Sequence, residues 1–379
     1  MKKLSILIYS LGSGGAERQV SLLVKYLAKK YKIYLVLMND AIFYEVPENV
    51  EIVFIEKSNP RENGIKKLLK LPFLALKYKK FLKESKIDVS ISFMNRPNYI
   101  NSLSKILASK GKAILSERIS PLNEYKTNSI KDKINRYLIK NLYKKADLVI
   151  PNSKRTAFEL NKFFNIKNTK VIYNMLEFSK YNKEKYNKEK NEDFSFINVG
   201  RFEPQKNHFL LIEAFKKINS DVKLYLIGDG YLREELEKKV KNANLEEKVI
   251  FLGRQKNVFN FLSKANCFVL SSNYEGFPNV LIEALACELP IISSDCPSGP
   301  REILAPNTDF TKQTKDIEFA EYGILTPIGD VDKLADAMKK IYEDKNIRYE
   351  ASKKAIKRAK DFEIEKIIKE WENIIEKYN

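Results

Sequence analysis

The chain of 379 residues is poor in cysteine, histidine and long apolar runs, and each scarcity excludes a class of protein. Its three cysteines, Cys267, Cys287 and Cys296, have neither the spacing of a disulfide framework nor that of a zinc site. The only histidine is His208, so no histidine in the first half of the chain can act as an acid or a base. No apolar run approaches the roughly 18 residues that span a bilayer. These absences together favour a cytosolic protein.

Acidic residues are scarce in the first half of the chain. Residues 1–178 carry 34 Lys and Arg against 15 Asp and Glu, whereas the rest carries 34 of each, so the whole net charge of +19 lies in the first half. Such asymmetry indicates a polyanionic partner, either acidic lipid, a phosphorylated substrate or nucleic acid. A lysine-rich codon bias is the alternative, but it would load both halves equally. Because no RNA- or DNA-binding motif accompanies the charge, we expect no nucleic-acid partner.

Short apolar runs alternate with amphipathic segments along the whole chain, which is typical of α/β domains. The runs are continuous, as in parallel sheets that are covered on both faces. Two successive α/β units predict two facing domains with a ligand cleft between them. The predicted strands are 4–9, 33–38, 50–55, 89–93, 113–116 and 148–150 in the first unit, and 194–199, 223–227, 249–251, 267–270 and 291–293 in the second.

A polar segment separates the two units. Residues 179–193 repeat Tyr-Asn-Lys-Glu-Lys and are low in aliphatic residues, which predicts an exposed linker. We therefore predict an N-terminal domain at residues 1–178 and a second domain at residues 194–361. Residues 362–379, which contain Trp371, are predicted to form an amphipathic helix that packs back toward the N-terminal domain.

Two cations follow the first strand of the second unit. Gly200 permits a tight strand exit, and Arg201 and Lys206 then place positive charge where open α/β sheets bind ligands. A leaving diphosphate needs such charges, although two surface cations on an ordinary loop would have the same sequence. The next strand ends in Gly228-Asp229-Gly230, which fits either a phosphate-approach loop or a plain turn.

The strongest signal is Glu-Gly-Phe-Pro-Asn-Val-Leu-Ile-Glu at residues 275–283, between a strand and an apolar helix. The spacing predicts that Glu275, at the helix entrance, and Glu283, just over two turns further on, share one helical face. Gly276 lets the backbone approach a ligand, and the helix N-terminus offers N–H groups to a phosphate. Glu283 lies in an apolar stretch, where a carboxylate needs donors such as sugar hydroxyls, unless it caps a neighbouring element.

The first half offers two candidate sites at strand ends. Gly14 and Gly15, in Gly-Ser-Gly-Gly-Ala-Glu-Arg, allow the backbone to approach phosphate or acceptor oxygens, although the spacing is neither a dinucleotide fingerprint nor a Walker loop. Glu117-Arg118 follows the strand 113–116 and is either a ligand-binding pair or a local ion pair. Arg118 cannot act as a base at ordinary pH, but it suits an acceptor phosphate.

Taken in order, these motifs resemble those of the retaining glycosyltransferases of family 4, which have the GT-B fold: α/β, with two Rossmann-like domains facing across a central cleft. The resemblance covers essentially the whole chain and is specific as an ensemble. Family members often carry a histidine after the strand at 113–116, so here either Glu117 or Arg118 serves instead or no such group is needed. The shared stretches are residues 14–18, 200–207, 275–283 and 298–302.

The resemblance implies a role for each candidate residue. Arg201 and Lys206 neutralise the donor diphosphate and Glu275 hydrogen-bonds the transferred sugar, so these three are the catalytic candidates, while Glu283 holds the ribose hydroxyls. The reaction keeps the anomeric configuration, the leaving phosphate helps to take the acceptor proton, and no protein nucleophile is named. The other donor-binding candidates are Gly200, Gly228, Gly253, Arg254, Gly276, Phe277, Pro278, Asn279 and Val280. The acceptor and phosphate loop comprises Gly14, Gly15, Arg18, Glu117 and Arg118.

A narrower resemblance, in residues 8–18, 37–40, 71–80 and 95–99, is to the PglJ-type N-acetylgalactosaminyltransferases of bacterial N-linked protein glycosylation. It implies a UDP-N-acetylhexosamine donor, UDP-GalNAc, and an undecaprenyl-diphosphate-linked glycan as the acceptor. The protein would then be cytoplasmic and peripheral on the inner face of the cell membrane. The alternatives are a family 4 transferase for lipopolysaccharide or capsule with another donor, and a UDP-sugar epimerase or hydrolase on the same fold.

Residues 64–83 alternate apolar residues with seven lysines at roughly helical spacing. This pattern predicts a helix on an anionic membrane surface, although an ordinary surface helix with lysines on its wet face is the alternative, and Pro72 limits its regularity.

Asp330-Val331-Asp332 has the form of a paired-carboxylate metal motif. Because it directly precedes an amphipathic helix, Asp330 is better explained as a helix N-cap. We therefore expect that no metal cofactor is required. The UDP-sugar that the resemblance implies is a donor substrate and not a cofactor.

Overall fold

The computed structural model describes residues 1–59, 62–107, 110–178, 193–218 and 220–378. The chain divides into two compact units, Met1–Met175 with Glu365–Asn379, and Leu176–Ile364. The predicted linker at 179–193 lies outside the described residues except for Asp193.

The described residues of the first unit contain one sheet of six parallel strands in the order β3-β2-β1-β4-β5-β6. The predicted strands of this half are confirmed to within one or two residues at each end. The strands are β1 (Lys3–Ile8), β2 (Lys32–Leu37), β3 (Glu51–Phe54), β4 (Val89–Phe93), β5 (Lys112–Glu117) and β6 (Leu148–Pro151). The helices are α1 (Gly15–Leu27), α2 (Gly64–Leu69), α3 (Leu71–Glu84), α4 (Asn95–Ile106), α5 (Pro121–Glu124), α6 (Ile130–Leu142) and α7 (Lys154–Phe164).

The strand order decides which helices share a face of this sheet. The connections β3 to β4, β4 to β5 and β5 to β6 all cross the sheet in one direction, and parallel crossovers are right-handed. Their helices α3, α4 and α6 therefore cover one face, where α4 packs against both α3 and α6. The connection from β1 to β2 runs the opposite way, so α1 covers the other face.

The last helix of the chain, α15 (Ile364–Lys377), packs in the first unit. Trp371 is buried, with its ring centroid 5.9 Å from that of Phe93 at the end of β4. Near the end of the helix, Glu376 lies 2.5 Å from Lys2 Nζ and accepts a hydrogen bond of 2.7 Å from the Tyr31 hydroxyl.

The second unit contains, in its described residues, a sheet of seven strands in the order β12-β13-β11-β10-β7-β8-β9. All are parallel except β12, which pairs antiparallel with β13 at one edge. The strands are β7 (Phe194–Val199), β8 (Val222–Ile227), β9 (Val249–Gly253), β10 (Cys267–Leu270), β11 (Ile291–Ser294), β12 (Glu318–Ala320) and β13 (Gly323–Thr326). The helices are α8 (His208–Lys216), α9 (Arg233–Asn242), α10 (Phe259–Leu262), α11 (Asn279–Ala286), α12 (Pro300–Leu304), α13 (Val331–Glu343) and α14 (Lys345–Ala359).

The predicted helical segment at 64–83 is two helices. The first, α2, ends at Leu69, and Pro72 then lies in the first turn of α3, where its missing N–H is not needed. No helix within the described ranges has both the length and the apolar character needed to cross a bilayer.

The N-cap predicted at Asp330 is confirmed. Its carboxylate accepts a hydrogen bond of 2.9 Å from the Lys333 backbone N–H and so caps α13, whereas Asp332 lies on the surface beside Lys217. The first carboxylate of the apparent metal motif is therefore used by the helix itself.

We predict that Asp330→Ala destabilises the second unit by about 1 kcal/mol, because an N-cap is lost. In thermal unfolding this corresponds to a fall in Tm of about 3 °C. The matched control is Asp332→Ala, which removes an exposed ion pair and should leave Tm nearly unchanged. Equal effects of the two substitutions would contradict the capping role.

Candidate functional site

The candidate donor site lies in the second unit, where β7 ends and α8 begins. The side chain of Lys206 passes over Gly200, because a Cβ atom at Gly200 would lie 3.2 Å from Lys206 Cγ. Lys206 Nζ lies 2.6 Å from Glu275 Oε1, and the Ser272 hydroxyl donates to the same oxygen over 2.7 Å. Two of the three predicted catalytic residues are therefore in direct contact.

Hydrogen bonds join the loop after β7 to the loop after β10. The backbone N–H of Asn273 donates to the Gln205 carbonyl over 2.8 Å, and its side-chain amide donates to the Pro204 carbonyl over 2.8 Å. The Gln205 amide donates in the other direction, to the Tyr274 carbonyl over 3.0 Å. Because the bonds run both ways, the backbone holds the lysine and the glutamate at a fixed separation.

The two glutamates of the 275–283 motif are placed by different elements. Glu283 lies within α11 and is buried, whereas Glu275 lies in the loop four residues before the helix begins at Asn279. The expectation that both glutamates share one helical face is therefore wrong. The reason is local, because Pro278 has an extended backbone (φ −72°, ψ 106°) and starts the helix later than Glu275.

The helix N-terminus next to Glu275 carries no side-chain cap in the described chain. The segment that leads into this helix, Gly276 to Pro278, contacts the motif at residues 298–302. The Ser298 hydroxyl donates to the Gly276 carbonyl over 2.7 Å, and a Cβ atom at Gly299, where φ is +99°, would lie 2.5 Å from Pro278 Cδ. Phe277 is buried, while Val280 in the first helical turn is partly exposed.

Arg301, in the same motif, is used within the protein. Its guanidinium donates to Asp295 and Glu318, at 3.0 Å and 2.7 Å, and so ties the loop after β11 to the edge strand β12. Arg301 therefore has a structural role within the second unit.

Three predicted glycines lie side by side at the carboxyl ends of adjacent strands. The Gly228 N–H donates to the Gly253 carbonyl over 2.9 Å, and a Cβ atom at Gly228 would lie 1.9 Å from the Gly200 carbonyl oxygen. Gly228 has φ of +142°, so both its conformation and its surroundings exclude a side chain. The exits of β7, β8 and β9 thus form one glycine-lined edge.

The predicted arginines at this edge are exposed. Arg201 is 66% exposed at its side chain and lies 3.1 Å from Glu203, while Arg254 is exposed. Surface ion pairs contribute little free energy, so Arg201 can exchange Glu203 for another anion at little cost.

Two residues near this edge were not predicted from the sequence. Ser272, which is fully buried, orients the Glu275 carboxylate, and a serine after a strand carries no signal of that role. Arg233 lies 3.9 Å from Asp229, and its Nη1 would lie 3.8 Å from a Cβ atom at Gly253. The sequence did offer a signal for Arg233, because it is a basic residue that follows closely after the Gly-Asp-Gly turn.

In the first unit, the glycine-rich motif forms the start of α1. Gly14 is the N-cap and offers no side-chain cap to the helix, Gly15 begins the helix, and the Arg18 N–H donates to the Gly14 carbonyl over 3.0 Å. The geometry matches the predicted opening of a helix after the first strand.

Glu117 and Arg118, at the end of β5, point to different environments. Glu117 is 1% exposed and accepts hydrogen bonds from the Tyr143 hydroxyl (2.7 Å) and the Arg118 backbone N–H (3.0 Å). The Arg118 guanidinium donates to Asn174 and packs 5.9 Å from the centre of the Phe93 ring. Within the described residues no carboxylate forms an ion pair with Arg118, and its Nε has no hydrogen-bond partner.

Comparison with known proteins places this geometry in a family. Residues 13–179 match the model of Glycosyltransferase Family 4, and residues 179–361 match that of Glycosyl transferases group 1. The chain is 39% identical to N-acetylgalactosamine-N,N'-diacetylbacillosaminyl-diphospho-undecaprenol 4-alpha-N-acetylgalactosaminyltransferase of Campylobacter jejuni, over 98% of each chain.

Solved structures share the fold. Sucrose-phosphate synthase of Thermosynechococcus elongatus superimposes with a TM-score of 0.83 at 20% identity, covering 100% of this chain and 99% of the other. HepE of Anabaena, in complex with UDP, superimposes with a TM-score of 0.77 at 20% identity, over 100% of both chains. The two Rossmann-like units, the ordered motifs and the full-length relative show that this chain is a GT-B glycosyltransferase of family 4.

Proposed function

We propose that the protein transfers N-acetylgalactosamine from UDP-GalNAc to an undecaprenyl-diphosphate-linked glycan, with retention of the anomeric configuration, at the inner face of the cell membrane. The observation that carries this proposal is the identity of 39% over 98% of both chains with a Campylobacter jejuni enzyme whose name specifies transfer of N-acetylgalactosamine to a saccharide on diphospho-undecaprenol. The UDP complex of the similarly folded Anabaena protein supports a uridine nucleotide as the donor.

The Lys206–Glu275 contact supports the roles proposed for both residues. Both side chains are largely buried, with 16% and 7% of their surfaces exposed, so each charge depends on the other in the absence of a ligand. A donor diphosphate beside Lys206 brings negative charge, and the sugar beside Glu275 brings hydroxyl donors. Binding of the donor thus offers each member of the pair a new partner, while Ser272 keeps the carboxylate in place.

The other proposed donor contacts follow from the glycine-lined edge. Arg201 joins Lys206 on the diphosphate by leaving Glu203, and the N–H groups at the start of α11 meet phosphate or sugar. Glu283 holds the ribose hydroxyls, and Gly253 with Arg254 lies near the base, where Arg233 adds a further cation. Gly200 and Gly228 have no side chain to obstruct the nucleotide.

On the acceptor side, the surroundings of Glu117 favour a positioning role. Burial raises the pKa of this carboxyl to about 8, with the nearby Glu124 charge contributing in the same direction. The side chain is 1% exposed, and its two oxygens already accept hydrogen bonds from Tyr143 and the Arg118 N–H, so it is not accessible to an acceptor hydroxyl. We propose that Glu117 holds the Arg118 backbone and that the Arg118 guanidinium, which forms no ion pair with a carboxylate among the described residues, binds acceptor phosphate. The N-terminus of α1 with Arg18 contributes to the same anion site.

Membrane association is proposed for α2 and α3. Their lysines are accompanied by four apolar side chains that the fold leaves exposed, whereas an ordinary surface helix would turn its large apolar residues inward. The exposed fractions are 67% for Ile65, 76% for Leu69, 68% for Phe73 and 53% for Leu76. Apolar side chains flanked by lysines are suited to the interface of an anionic bilayer, where the lipid-linked acceptor is found.

The first prediction of this proposal concerns turnover. With UDP-GalNAc and an undecaprenyl-diphosphate-linked saccharide, mass spectrometry should detect a product longer by N-acetylhexosamine, NMR should show an α linkage, and EDTA should leave the rate unchanged. Glu275→Gln keeps the shape and hydrogen bonds of the pair but removes the carboxylate, so we expect kcat/KM to fall at least about 100-fold, or about 3 kcal/mol.

The matched control for that experiment is Glu213→Gln, which removes another lysine-paired glutamate of the same unit, the partner of Lys239. It should retain the wild-type rate. Wild-type turnover in Glu275→Gln would show that the donor site is elsewhere. Release of free sugar or an epimer at the same rate without acceptor would identify a hydrolase or an epimerase.

The second prediction concerns the pH dependence of stability. The raised pKa of Glu117 means that the folded state binds this proton more tightly than the unfolded state, so its contribution to stability is complete below about pH 4.5 and is lost as pH rises toward 8. The free energy of unfolding of the wild type should therefore fall by on the order of 4 kcal/mol between these pH values because of this group. Glu117→Gln should lack this contribution to the fall. Urea unfolding followed by fluorescence of Trp371, the only tryptophan, reports on the first unit. Identical pH profiles for the variant and the wild type would contradict the account.

The third prediction concerns membrane binding. The quadruple variant Ile65→Ser/Leu69→Ser/Phe73→Ser/Leu76→Ser should bind phosphatidylglycerol-containing vesicles at least about tenfold more weakly than the wild type in a flotation assay, because apolar contact is removed. The control is Phe319→Ser/Ile328→Ser/Tyr349→Ser, three exposed apolar residues of the second unit, which should bind like the wild type. Unchanged binding of the quadruple variant would exclude α2 and α3 as the contact.

A further inference from the structure

A second row of exposed apolar side chains runs along α6. Ile130, Ile134 and Tyr137 are 78%, 37% and 67% exposed, and their spacing of four and then three residues places them on one face of the helix. On the opposite face Ile139 is completely buried in the core of the first unit. The outward row is therefore additional to the apolar face that holds the helix on the sheet.

The charge around this row is predominantly positive, with the exposed Glu124 beside Lys131 as an acidic neighbour at the start of the helix. Residues 125–146 contain seven Lys and Arg and a single acidic residue, Asp132. Asp132 is buried and accepts a hydrogen bond of 2.8 Å from the Thr127 N–H, so it does not face solvent beside the row. The exposed lysines that flank the row are Lys131, Lys133, Lys140 and Lys144.

We propose that α6 is a second bilayer-binding element, with its apolar row at the boundary between headgroups and acyl chains and its lysines on anionic lipid headgroups. This inference rests on the proposed function, because it assumes that the protein works at a membrane. It adds a helix that the sequence analysis did not single out and that is separated from residues 64–83 by more than forty residues of chain.

Charge and apolarity together select lipid as the occupant of this face. A second copy of the chain would bring its own lysines against these lysines, so the interface would be opposed by repulsion between like charges. A nucleic acid would satisfy the lysines but would leave the three apolar side chains in contact with water and phosphate. An anionic bilayer satisfies both sets of side chains.

The topology makes the two elements compatible with one membrane surface. Both α3 and α6 cover the same face of the sheet, with α4 packed against each of them. Two contacts on one face set the orientation of the unit on the bilayer as well as its affinity. Once one of the two elements has bound the bilayer, the other binds from a tethered protein. Loss of either element should therefore weaken vesicle binding by more than the affinity of that element alone for the bilayer.

The test is a flotation assay that compares the full-length wild type with its variants for binding to vesicles of phosphatidylethanolamine and phosphatidylglycerol. Ile130→Ser/Ile134→Ser/Tyr137→Ser should weaken binding at least tenfold, and Lys131→Gln/Lys133→Gln/Lys140→Gln should weaken it about fivefold for each lysine at low salt, with a smaller effect at high salt. The triple variant of the second unit, Phe319→Ser/Ile328→Ser/Tyr349→Ser, is the matched control for the number and exposure of the apolar groups removed. All substituted positions on α6 are exposed, and an unchanged Tm confirms that the fold is intact.

A second readout tests contact with lipid directly. In Tyr137→Trp the new indole should shift its emission to shorter wavelength on binding and be quenched by brominated lipids, while the buried Trp371 should not respond. Full vesicle binding by the α6 variants, or no shift and no quenching at position 137, would overturn the inference. If only the α2–α3 variant lost binding, the proposed function would stand and the inference about α6 would fall. If the wild type were a dimer that dissociated in the α6 apolar variant, this face would be assigned to a second copy of the chain.

Discussion

The ion pair between Lys206 and Glu275 is the contact on which the rest of the candidate donor site depends. Two loops from separate strands carry these residues, whose charged atoms lie 2.6 Å apart, and hydrogen bonds from the Asn273 and Gln205 side chains to backbone carbonyls of the opposite loop join the two loops. The glycines at the ends of β7, β8 and β9 clear the space beside the pair, and the motif at 298–302 supports the loop that carries Glu275. The ion pair, the glycines and the supported loop thus lie at one edge of one sheet.

The first unit follows a different physical logic. At the end of β5 it carries a buried carboxyl, Glu117, and Arg118, which forms no ion pair with a carboxylate in the described part of the chain; together they suit an anionic acceptor group. Its outer helices expose apolar side chains among lysines, so this unit combines the proposed anion site with surfaces suited to a bilayer. The charge asymmetry of the sequence has its physical meaning here, because the basic half is the half that we propose meets lipid and phosphate.

Most strands were predictable because apolar runs in a parallel sheet are continuous, and the N-cap at Asp330 was predictable because it precedes a clear amphipathic helix. The edge strand β12, its neighbour β13 and the helix α14 were missed, since strands of three and four residues and a helix of low amphipathicity leave little pattern. The motif at 275–283 pointed to the proposed donor site, but the start of α11 after Pro278, and with it the separate placement of Glu275, depends on backbone conformation. The exposed rows on α2, α3 and α6 were also out of reach, because a sequence shows which residues are apolar but not which of them the fold leaves outside.

The central claim is that the second unit binds a uridine-diphosphate sugar at the Lys206–Glu275 edge. Saturation-transfer NMR of the full chain with a panel of nucleotides and nucleotide-sugars tests it most directly. The account predicts selective contact with UDP-GalNAc over GDP- and ADP-sugars, and loss of that contact in Glu283→Ala while the protein remains folded. Equal binding of all nucleotides, or UDP-GalNAc contact that survives in Glu283→Ala and Lys206→Met alike, would contradict it.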